Sequence, residues 1–290
     1  MITGSLVALI TPFRNDDVDY EALKKLVRWH LEQGTHGLVP VGTTGESATL
    51  SEDEHRRVVD AVVKEVDGRI PVVAGAGSNN PHEAITYSNY AAESGADATL
   101  HVAGYYVRPN QKGLVQHFEA VHDATRLPII LYNIPPRAVV DIQPDTMAHL
   151  AELPRIVGVK DATGDLTRPL LEARRIAKPF AFLSGEDATA VAYNASGGNG
   201  CISVTANIAP ALCARMQTAC RDGDFETAME IQRRLIPLHV ALFREPSPAG
   251  AKYAASLLGH CLPECRLPIT ALEARSKAEI SAAMTELGLL

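Results

Sequence analysis

One lysine in the sequence stands where its side-chain amine could act as a nucleophile. Lys160 ends the run Ile156–Val159, whose small and β-branched apolar residues are typical of a strand buried on both faces. Burial disfavours the charged form of an amine, and a neutral amine can attack a carbonyl and form a Schiff base. The sequence therefore predicts covalent chemistry at Lys160. The alternative is a structural lysine that extends to solvent or pairs with Asp161 or Asp165.

Hydroxyl groups follow other apolar runs of the chain. Thr43 and Thr44 lie in a turn between two glycines, where hydroxyls and backbone N–H groups can hold a carboxylate. Tyr105, Tyr106 and Tyr132 end two neighbouring runs, and hydrogen-bonded tyrosines can relay protons. Each residue also has an ordinary structural role, in local turn hydrogen bonds or in amphipathic packing.

A fixed cationic group and several absent motifs narrow the chemistry further. Arg137 follows the rigid Pro135-Pro136 pair, and its fork of donors suits a carboxylate, although an exposed surface arginine is the alternative. The histidines have no metal-binding spacing, and His101 is expected to be a core residue, so no metal is predicted. No Gly-x-Ser-x-Gly elbow or phosphate loop occurs. The remaining set of groups describes a metal-free aldolase acting on a 2-oxo acid.

The composition is that of an ordinary globular protein, with 290 residues, 46% of them hydrophobic, and a net charge of -7. The negative charge argues against nucleic acid and anionic membranes as partners. No apolar run has membrane-spanning length, and the run Leu6–Ile10 lacks the basic leader of a signal peptide. Five cysteines without CxxC spacing favour free thiols in a reducing compartment, so a cytoplasmic protein is expected.

Eight strand-like runs alternate with helical patterns along the first three quarters of the chain. This alternation predicts a parallel sheet, and eight units fit a closed TIM (β/α)8 barrel better than an open doubly wound sheet. Chemistry in such a barrel belongs at the carboxyl ends of the strands. The predicted strands are Leu6–Ile10, Gly37–Val41, Ile70–Ala74, Ala98–Val102, Pro128–Tyr132, Ile156–Lys160, Phe180–Ser184 and Cys201–Thr205.

The end of the chain carries helical patterns without a strand. We predict a catalytic barrel over residues 1–222 and a C-terminal helical region over residues 223–290. The predicted helices of that region are Phe225–Phe243, Ala249–Leu258 and Leu272–Leu287. Interface packing is its expected role.

Five motifs occur in order along the chain. They are Gly42–Ser47 (GTTGES), Tyr105-Tyr106, Tyr132–Pro135 (YNIP), Gly158–Thr163 (GVKDAT) and Ile202–Asn207 (ISVTAN). With these motifs the sequence resembles the dihydrodipicolinate synthase and N-acetylneuraminate lyase family of class I aldolases over nearly its whole length. The Thr43-Thr44 pair and Arg137 favour the synthase branch over the sialic acid lyases, whose first motif usually carries a serine.

The resemblance implies a catalytic group of four residues. Lys160 would form a Schiff base with pyruvate, so that no separate cofactor is required. Tyr132 would act as acid and base in a relay with Thr43 and Tyr106. Tyr106 would reach across a tight dimer interface into the neighbouring subunit's site. The usual assembly would be a homo-oligomer, a dimer of dimers.

The resemblance also implies the binding residues and the reaction. Thr44 and the backbone at Ile202 would hold the pyruvate carboxylate, and Gly185 would line the pocket. Arg137 would receive the carboxylate of L-aspartate 4-semialdehyde. The expected activity is that of a lyase in lysine and diaminopimelate biosynthesis, which condenses the two substrates to 4-hydroxy-tetrahydrodipicolinate.

Members of the family that are inhibited by lysine bind it at the dimer interface. The pattern for that site is matched by six residues of this sequence, while Glu52 stands where histidine is often found, so weak or altered inhibition is expected. The six matching residues are Ser47, Ala48, His55, Asn79, Glu83 and Tyr105.

Departures near the second-substrate side leave two alternatives open. Gly104, Val107 and Ala138-Val139 replace residues that are common in the family. One alternative is a sister aldolase that acts on a sugar acid or a hydroxy-oxo-acid. The other is a barrel that binds ligands without turnover, against which the intact Lys160 argues.

Overall fold

The computed structural model describes residues 1–290, and its centre is a sheet of eight parallel strands. The strands are β1 (Gly4–Ala8), β2 (Gly37–Val39), β3 (Val73–Gly75), β4 (Ala98–Val102), β5 (Ile129–Asn133), β6 (Ile156–Asp161), β7 (Ala181–Ser184) and β8 (Gly200–Ser203). Their order in the sheet is β2-β1-β8-β7-β6-β5-β4-β3, so each strand lies beside its neighbour in sequence except at the junction of β1 with β8.

The two ends of this sheet meet and close it into a barrel. A parallel bridge joins Leu38 of β2 to Val72, next to β3. The backbone N–H of Leu38 donates to the carbonyl of Pro71 at 3.0 Å, and that of Gly75 donates to the carbonyl of Pro40 at 3.0 Å. Closure satisfies backbone groups that an open sheet would leave at its edges. The predicted (β/α)8 barrel is confirmed.

Helices surround the barrel and continue beyond it. The capping box of α2 shows how local sequence sets a helix start, because Ser51 accepts from the N–H of Glu54 while Glu54 accepts from that of Ser51. The helices are α1 (Tyr20–Glu32), α2 (Glu52–Val66), α3 (Pro81–Ser94), α4 (Gln111–Ala124), α5 (Pro135–Ala138), α6 (Pro144–Ala151), α7 (Arg168–Ala173), α8 (Ala190–Ala195), α9 (Pro210–Arg221), α10 (Phe225–Leu242), α11 (Ala249–Leu257) and α12 (Ala274–Glu286). None of them combines the length and the apolar character needed to cross a bilayer.

The C-terminal helices pack on the barrel. Helix α10 runs against α9 and α8, while α12 packs on α10 and α11. The proposed division at residue 222 stays a prediction, since α9 and α10 pack against each other and both contribute buried residues, among them Met216, Ile231 and Leu235, to one apolar core. The expected helical character of the region after α9 agrees with the three helices found there.

The first strand differs from its prediction in where it begins and ends. The predicted strand is Leu6–Ile10, whereas β1 begins at Gly4 and ends at Ala8. Gly4 pairs with Gly200, where a Cβ on the second glycine would lie 2.4 Å from the carbonyl oxygen of Gly4. Ile10 is buried but donates its N–H to the side chain of Asn207 at 3.1 Å. Its apolar character therefore reflects burial and not strand pairing.

Candidate active site

Lys160 and Tyr132 lie side by side at the carboxyl ends of adjacent strands. They are paired in the register of β5 and β6, which places both side chains on the same face of the sheet. The Nζ atom of Lys160 lies 4.2 Å from the centre of the Tyr132 ring. Both residues are 6% exposed. The side chain of the lysine is therefore buried with its amine beside a phenol, an arrangement that suits Schiff-base chemistry.

Gly185, directly after β7, makes room for the lysine chain. A Cβ at this position would lie 3.2 Å from Cε of Lys160 and 2.8 Å from Cβ of Ala162. Its N–H donates to the carbonyl of Asp161 at 2.6 Å, which fixes the backbone of β6 beside it. Gly185 does not line the cavity at the carboxyl end of the barrel, which is described below. Its position therefore indicates packing against the aliphatic part of Lys160.

Thr43 and Thr44 lie in a tight turn at the end of β2. The N–H of Ser47 donates to the carbonyl of Gly42 at 3.3 Å, and that of Glu46 donates to the carbonyl of Thr43 at 3.1 Å. Thr44 is buried and Thr43 is exposed, which places the two hydroxyl groups at different depths of the same turn. Both residues line the cavity that contains Lys160.

A cavity of about 650 Å³ opens at the carboxyl end of the barrel. It brings together residues from seven of the eight strands, so the barrel topology and not sequence proximity assembles the site. The predicted catalytic and binding residues that line it are Thr43, Thr44, Tyr132, Arg137, Lys160 and Ile202. Arg137 lies on α5 with an exposed side chain, while Ile202 is 1% exposed in β8.

Tyr106 is the predicted catalytic residue that the single chain does not bring into this cavity. Its side chain is 86% exposed, and its backbone is left-handed with φ at +67°. The neighbouring Tyr105 does line the cavity and is 36% exposed. Within one chain, the expected relay is thus limited to Tyr132 and Thr43.

Most of the residues expected for a regulatory site line the same cavity. His55 stacks on Tyr87 with ring centres 4.1 Å apart, and burial lowers the pKa of His55 to about 4, so it is neutral at physiological pH. Glu52 and Asn79 do not line the cavity; Glu52 instead accepts a hydrogen bond from Tyr90 at 3.3 Å. The members of the set that do line it are Ser47, Ala48, His55, Glu83 and Tyr105.

The C-terminal region contributes to the cavity as well, which sequence reasoning missed. Ser247 and Pro248 precede α11, and Pro268 and Ile269 lie between α11 and α12; all four line the wall. The region therefore has a place at the site, and its expected role in interface packing stays a prediction. No pattern in the sequence marks these residues, because their place in the wall depends on contacts between distant parts of the chain.

The strand ends are held by polar side chains that sequence reasoning also missed. The carboxylate of Asp187 accepts from the N–H of Val204 at 2.9 Å and from that of Thr205 at 3.0 Å. Asn207 donates to the carbonyl of Ala8 at 2.8 Å. These buried contacts fix the segment after β8 against β1, and with it the backbone at Ile202.

A closed parallel barrel that presents a buried lysine beside a tyrosine at its carboxyl end defines the class. The site is that of a Schiff-base aldolase built on a (β/α)8 barrel. No three side chains of His, Cys, Asp or Glu converge in a way that could hold a metal ion.

Comparison with known proteins identifies the family. The model of the Dihydrodipicolinate synthetase family matches residues 1–287, and the chain belongs to this family. It is 58% identical to the 4-hydroxy-tetrahydrodipicolinate synthase of Parvibaculum lavamentivorans over 290 residues, which cover 100% of both chains. The resemblance predicted from the sequence motifs is confirmed.

Solved structures agree with this assignment. The fold is similar to that of a chloride-inhibited dihydrodipicolinate synthase from Acinetobacter baumannii complexed with pyruvate, with a TM-score of 0.98, 41% identity and 100% coverage of both chains. It is also similar to a dihydrodipicolinate synthase variant described as monomeric, with a TM-score of 0.97, 35% identity and coverage of 100% of this chain and 98% of that one.

Proposed function

We propose that this protein condenses pyruvate with L-aspartate 4-semialdehyde to give 4-hydroxy-tetrahydrodipicolinate, in the biosynthesis of lysine and diaminopimelate. The observation that carries the proposal is the buried side chain of Lys160, whose amine lies 4.2 Å from the centre of the Tyr132 ring in a cavity that also presents Thr44 and Arg137. Membership of the family and the reaction named for its relatives support the same activity.

The chemistry begins at the amine of Lys160. The amine attacks the carbonyl carbon of pyruvate, and loss of water gives a Schiff base. Removal of a methyl proton then yields an enamine, whose carbon forms a bond to the aldehyde carbon of the second substrate. The substrate's own amino group finally displaces Lys160 by transimination, which closes the ring and regenerates the free lysine. The protein needs no further cofactor for these steps.

The surrounding residues take the roles that their positions favour. Tyr132 exchanges protons with the reacting carbonyl and hydroxyl oxygens, in a relay with Thr43 and with Tyr106 of a second subunit. Thr44 and the backbone at Ile202 hold the pyruvate carboxylate at the buried end of the cavity. The assignments of Tyr132, Thr43, Thr44 and Ile202 are supported by the shared cavity, and that of Tyr106 by its match to the family's motifs.

Two further residues complete the proposal. Arg137, exposed on the short helix α5, receives the carboxylate of the aldehyde at the open side of the cavity, where a second substrate can enter after pyruvate is bound. Gly185 leaves the space in which the lysine chain lies beside β7.

A homo-oligomer in the cytoplasm, built as a dimer of dimers, is part of the same proposal. The exposed Tyr106 supports it, because the residue can serve a site only if a second chain lies against it. The relative described as monomeric makes the assembly state an experimental question for each member. Weak inhibition by lysine stays a prediction, supported by Glu52 and its hydrogen bond to Tyr90 outside the cavity.

The assignment of the second substrate is tested with Arg137→Ala. We expect an unchanged pyruvate adduct on Lys160 and a fall in kcat/KM for aspartate semialdehyde of about 10²-fold, because a charge-assisted carboxylate contact is lost. The measurement is steady-state turnover with each substrate varied in turn. Arg233→Ala, at an exposed arginine on α10 that does not line the cavity, is the matched control.

Unchanged turnover in Arg137→Ala would contradict the substrate assignment. An adduct on Lys160 without any turnover of aspartate semialdehyde would instead favour a sister aldolase, and other aldehydes would then be compared. The absence of both adduct and turnover would favour a barrel that binds ligands without catalysis.

A further inference from the structure

A buried ion pair joins the turn of Thr43 and Thr44 to the C-terminal region. The Nζ atom of Lys252, on α11, lies 2.6 Å from Oε1 of Glu46, which follows Thr44 by two residues in the turn. The two side chains are 0% and 3% exposed. A buried pair contributes little net stability, because desolvation offsets the attraction, so its position is better explained by the conformation it fixes.

The second carboxylate oxygen of Glu46 also accepts a hydrogen bond from the C-terminal region. Its Oε2 accepts from the backbone N–H of Arg266 at 2.9 Å. The ammonium of Lys252 lies 3.8 Å from the centre of the Phe13 ring, and the guanidinium of Arg266 lies 4.4 Å from the same ring. One carboxylate is thereby held by two separate segments, and the cations of both segments lie against the same aromatic ring.

The turn that this carboxylate holds has an unfavourable backbone. Val41 and Glu46 are both left-handed, with φ at +48° and +56°, and they flank Thr43 and Thr44 on either side. Residues with a Cβ, above all β-branched ones, avoid this region unless their surroundings impose it. The hydroxyl of Thr11 also donates to the carbonyl of Gly45 at 2.7 Å, so the turn is fastened at two consecutive residues.

The segments that reach Glu46 also form the cavity wall. Ser247 and Pro248 lie just before α11, which carries Lys252, and Pro268 and Ile269 follow Arg266 in sequence. The ion pair thus connects the threonine turn to the wall that stands beside it. A displacement of either partner is expected to move the turn within the cavity.

We propose that Glu46 and Lys252 are positioning residues whose buried ion pair holds Thr43 and Thr44 in the geometry that receives the carboxylate of a 2-oxo acid. The inference rests on the proposed function, since it names what the turn binds. Glu46 borders the cavity, but both of its carboxylate oxygens are engaged, by the Lys252 ammonium and by the backbone N–H of Arg266. Lys252 is fully buried and does not line the cavity, so both residues act through the threonine turn.

The test compares Lys252→Met with the double variant Glu46→Gln/Lys252→Met. Borohydride trapping of the Lys160 adduct is measured against pyruvate concentration, beside the melting temperature of each protein. We expect the half-saturating pyruvate concentration to rise about tenfold or more in both variants, because small misplacements of binding groups are costly. At saturating pyruvate the amount of adduct should match the wild type, since Lys160 is intact.

The double variant separates positioning from simple stability. Lys252→Met leaves a buried unpaired carboxylate and should lower the melting temperature, whereas the double variant has no unpaired charge and should regain much of it. A positioning role predicts that pyruvate binding stays weak in the double variant although the fold is restored. If Lys252→Met does not fold, the double variant carries the test alone.

Phe118→Leu is the control for general loosening. Phe118 is fully buried on α4, away from the turn, so the change should lower the melting temperature and leave the pyruvate dependence unaltered. A double variant with wild-type pyruvate dependence, or an equal shift in Phe118→Leu, would overturn the inference. A wild-type protein that forms no adduct would instead contradict the proposed function itself.

Discussion

Two loops carry the groups expected to relay protons, and the chain holds them very differently. The turn of Thr43 is fastened by the buried pair of Glu46 and Lys252, with its strained backbone supported from within the chain. The segment after β4 has left-handed residues too, at Tyr106 and Arg108, but there the Tyr106 side chain is 86% exposed.

Because of this difference, the two halves of the proposed reaction, formation of the pyruvate adduct and its conversion to product, depend on different contacts. The groups for pyruvate are arranged by contacts inside one chain, so binding of the first substrate depends on folding alone. Tyr106 has a strained backbone and no place in its own cavity, and residues of that kind persist where something else makes use of them. We therefore expect adduct formation to be a property of the chain and complete turnover to be a property of the assembly.

The largest effect on activity that we expect from this difference between the loops is at Tyr106. Tyr106→Phe should retain the pyruvate adduct and lose about 10²-fold in kcat, since one member of a proton relay is removed. Mixing this variant with Lys160→Ala under conditions that exchange subunits should regain turnover, because one site of each mixed pair would then contain both native residues.

Tyr90→Phe is a suitable control for that experiment, since Tyr90 is outside the cavity and its hydroxyl reaches only Glu52. Two results would count against an interface role for Tyr106. One is full activity in Tyr106→Phe, and the other is a mixture whose turnover is only the sum of its two components.

The contrast between the loops also shows how far the sequence could predict this site. Lys160 and Tyr132 were predictable, because the apolar runs before them mark strands and the carboxyl ends of parallel strands meet in a barrel. The support for the threonine turn was not predictable. Glu46 and Lys252 are 206 positions apart in the chain, and no periodicity or spacing links residues at such a distance.

Strand boundaries were predictable only in part, for a related reason. Hydrophobicity reports burial, so Ile10 was included in the first strand although it is buried beyond the ladder, whose last bond runs from the Leu9 N–H to the carbonyl of Val39 at 3.0 Å. The hairpin of Phe13–Arg14 with Asp17–Val18, and the short helix α5, were also missed. Elements this short give too few residues for a period of two or of 3.6 to be recognised.

A second, smaller effect concerns the stability of the segment that supports the threonine turn. The guanidinium of Arg266, which also lies over Phe13, pairs with Glu54 at 2.5 Å and holds the pKa of that carboxyl at about 2. Because the folded-state pKa is below the ordinary value of 4.5, the pair stabilises the protein above that value, and the stabilisation is lost as pH falls towards 2.

Glu54→Gln should therefore be less stable than the wild type at neutral pH and should lose less stability on acidification. Denaturant unfolding at pH 7 and at pH 3 measures this, with the exposed Asp53→Asn as the control on the same helix turn. An unchanged pH dependence in Glu54→Gln would show that the pair with Arg266 does not contribute to acid sensitivity.

The smallest expected effect is in a third loop, beside Arg137. Val139 ends α5 with φ at +63° and a side chain that is 57% exposed, which is an unfavourable conformation for a β-branched residue. Val139→Gly should raise the free energy of unfolding by about 1 kcal/mol through relief of this strain.

The matched control is Val240→Gly, at a valine that is 58% exposed inside helix α10. There the same substitution should destabilise the protein by about 0.5 to 1 kcal/mol, because glycine is a poor helix former. Thermal or urea unfolding of the two variants gives the comparison. If backbone strain is the explanation, the free energy of unfolding must rise in Val139→Gly and fall in Val240→Gly. A loss of stability at both positions would refute it.

The central claim is that Lys160 is the amine that carries pyruvate. The most direct measurement is borohydride reduction in the presence of pyruvate, followed by intact mass and peptide mapping, on the wild type and on Lys160→Ala. We expect one pyruvyl adduct per chain, on the peptide that contains Lys160, and none in the variant. An adduct that persists in Lys160→Ala, or a wild-type protein that turns over both substrates without any adduct, would contradict the account.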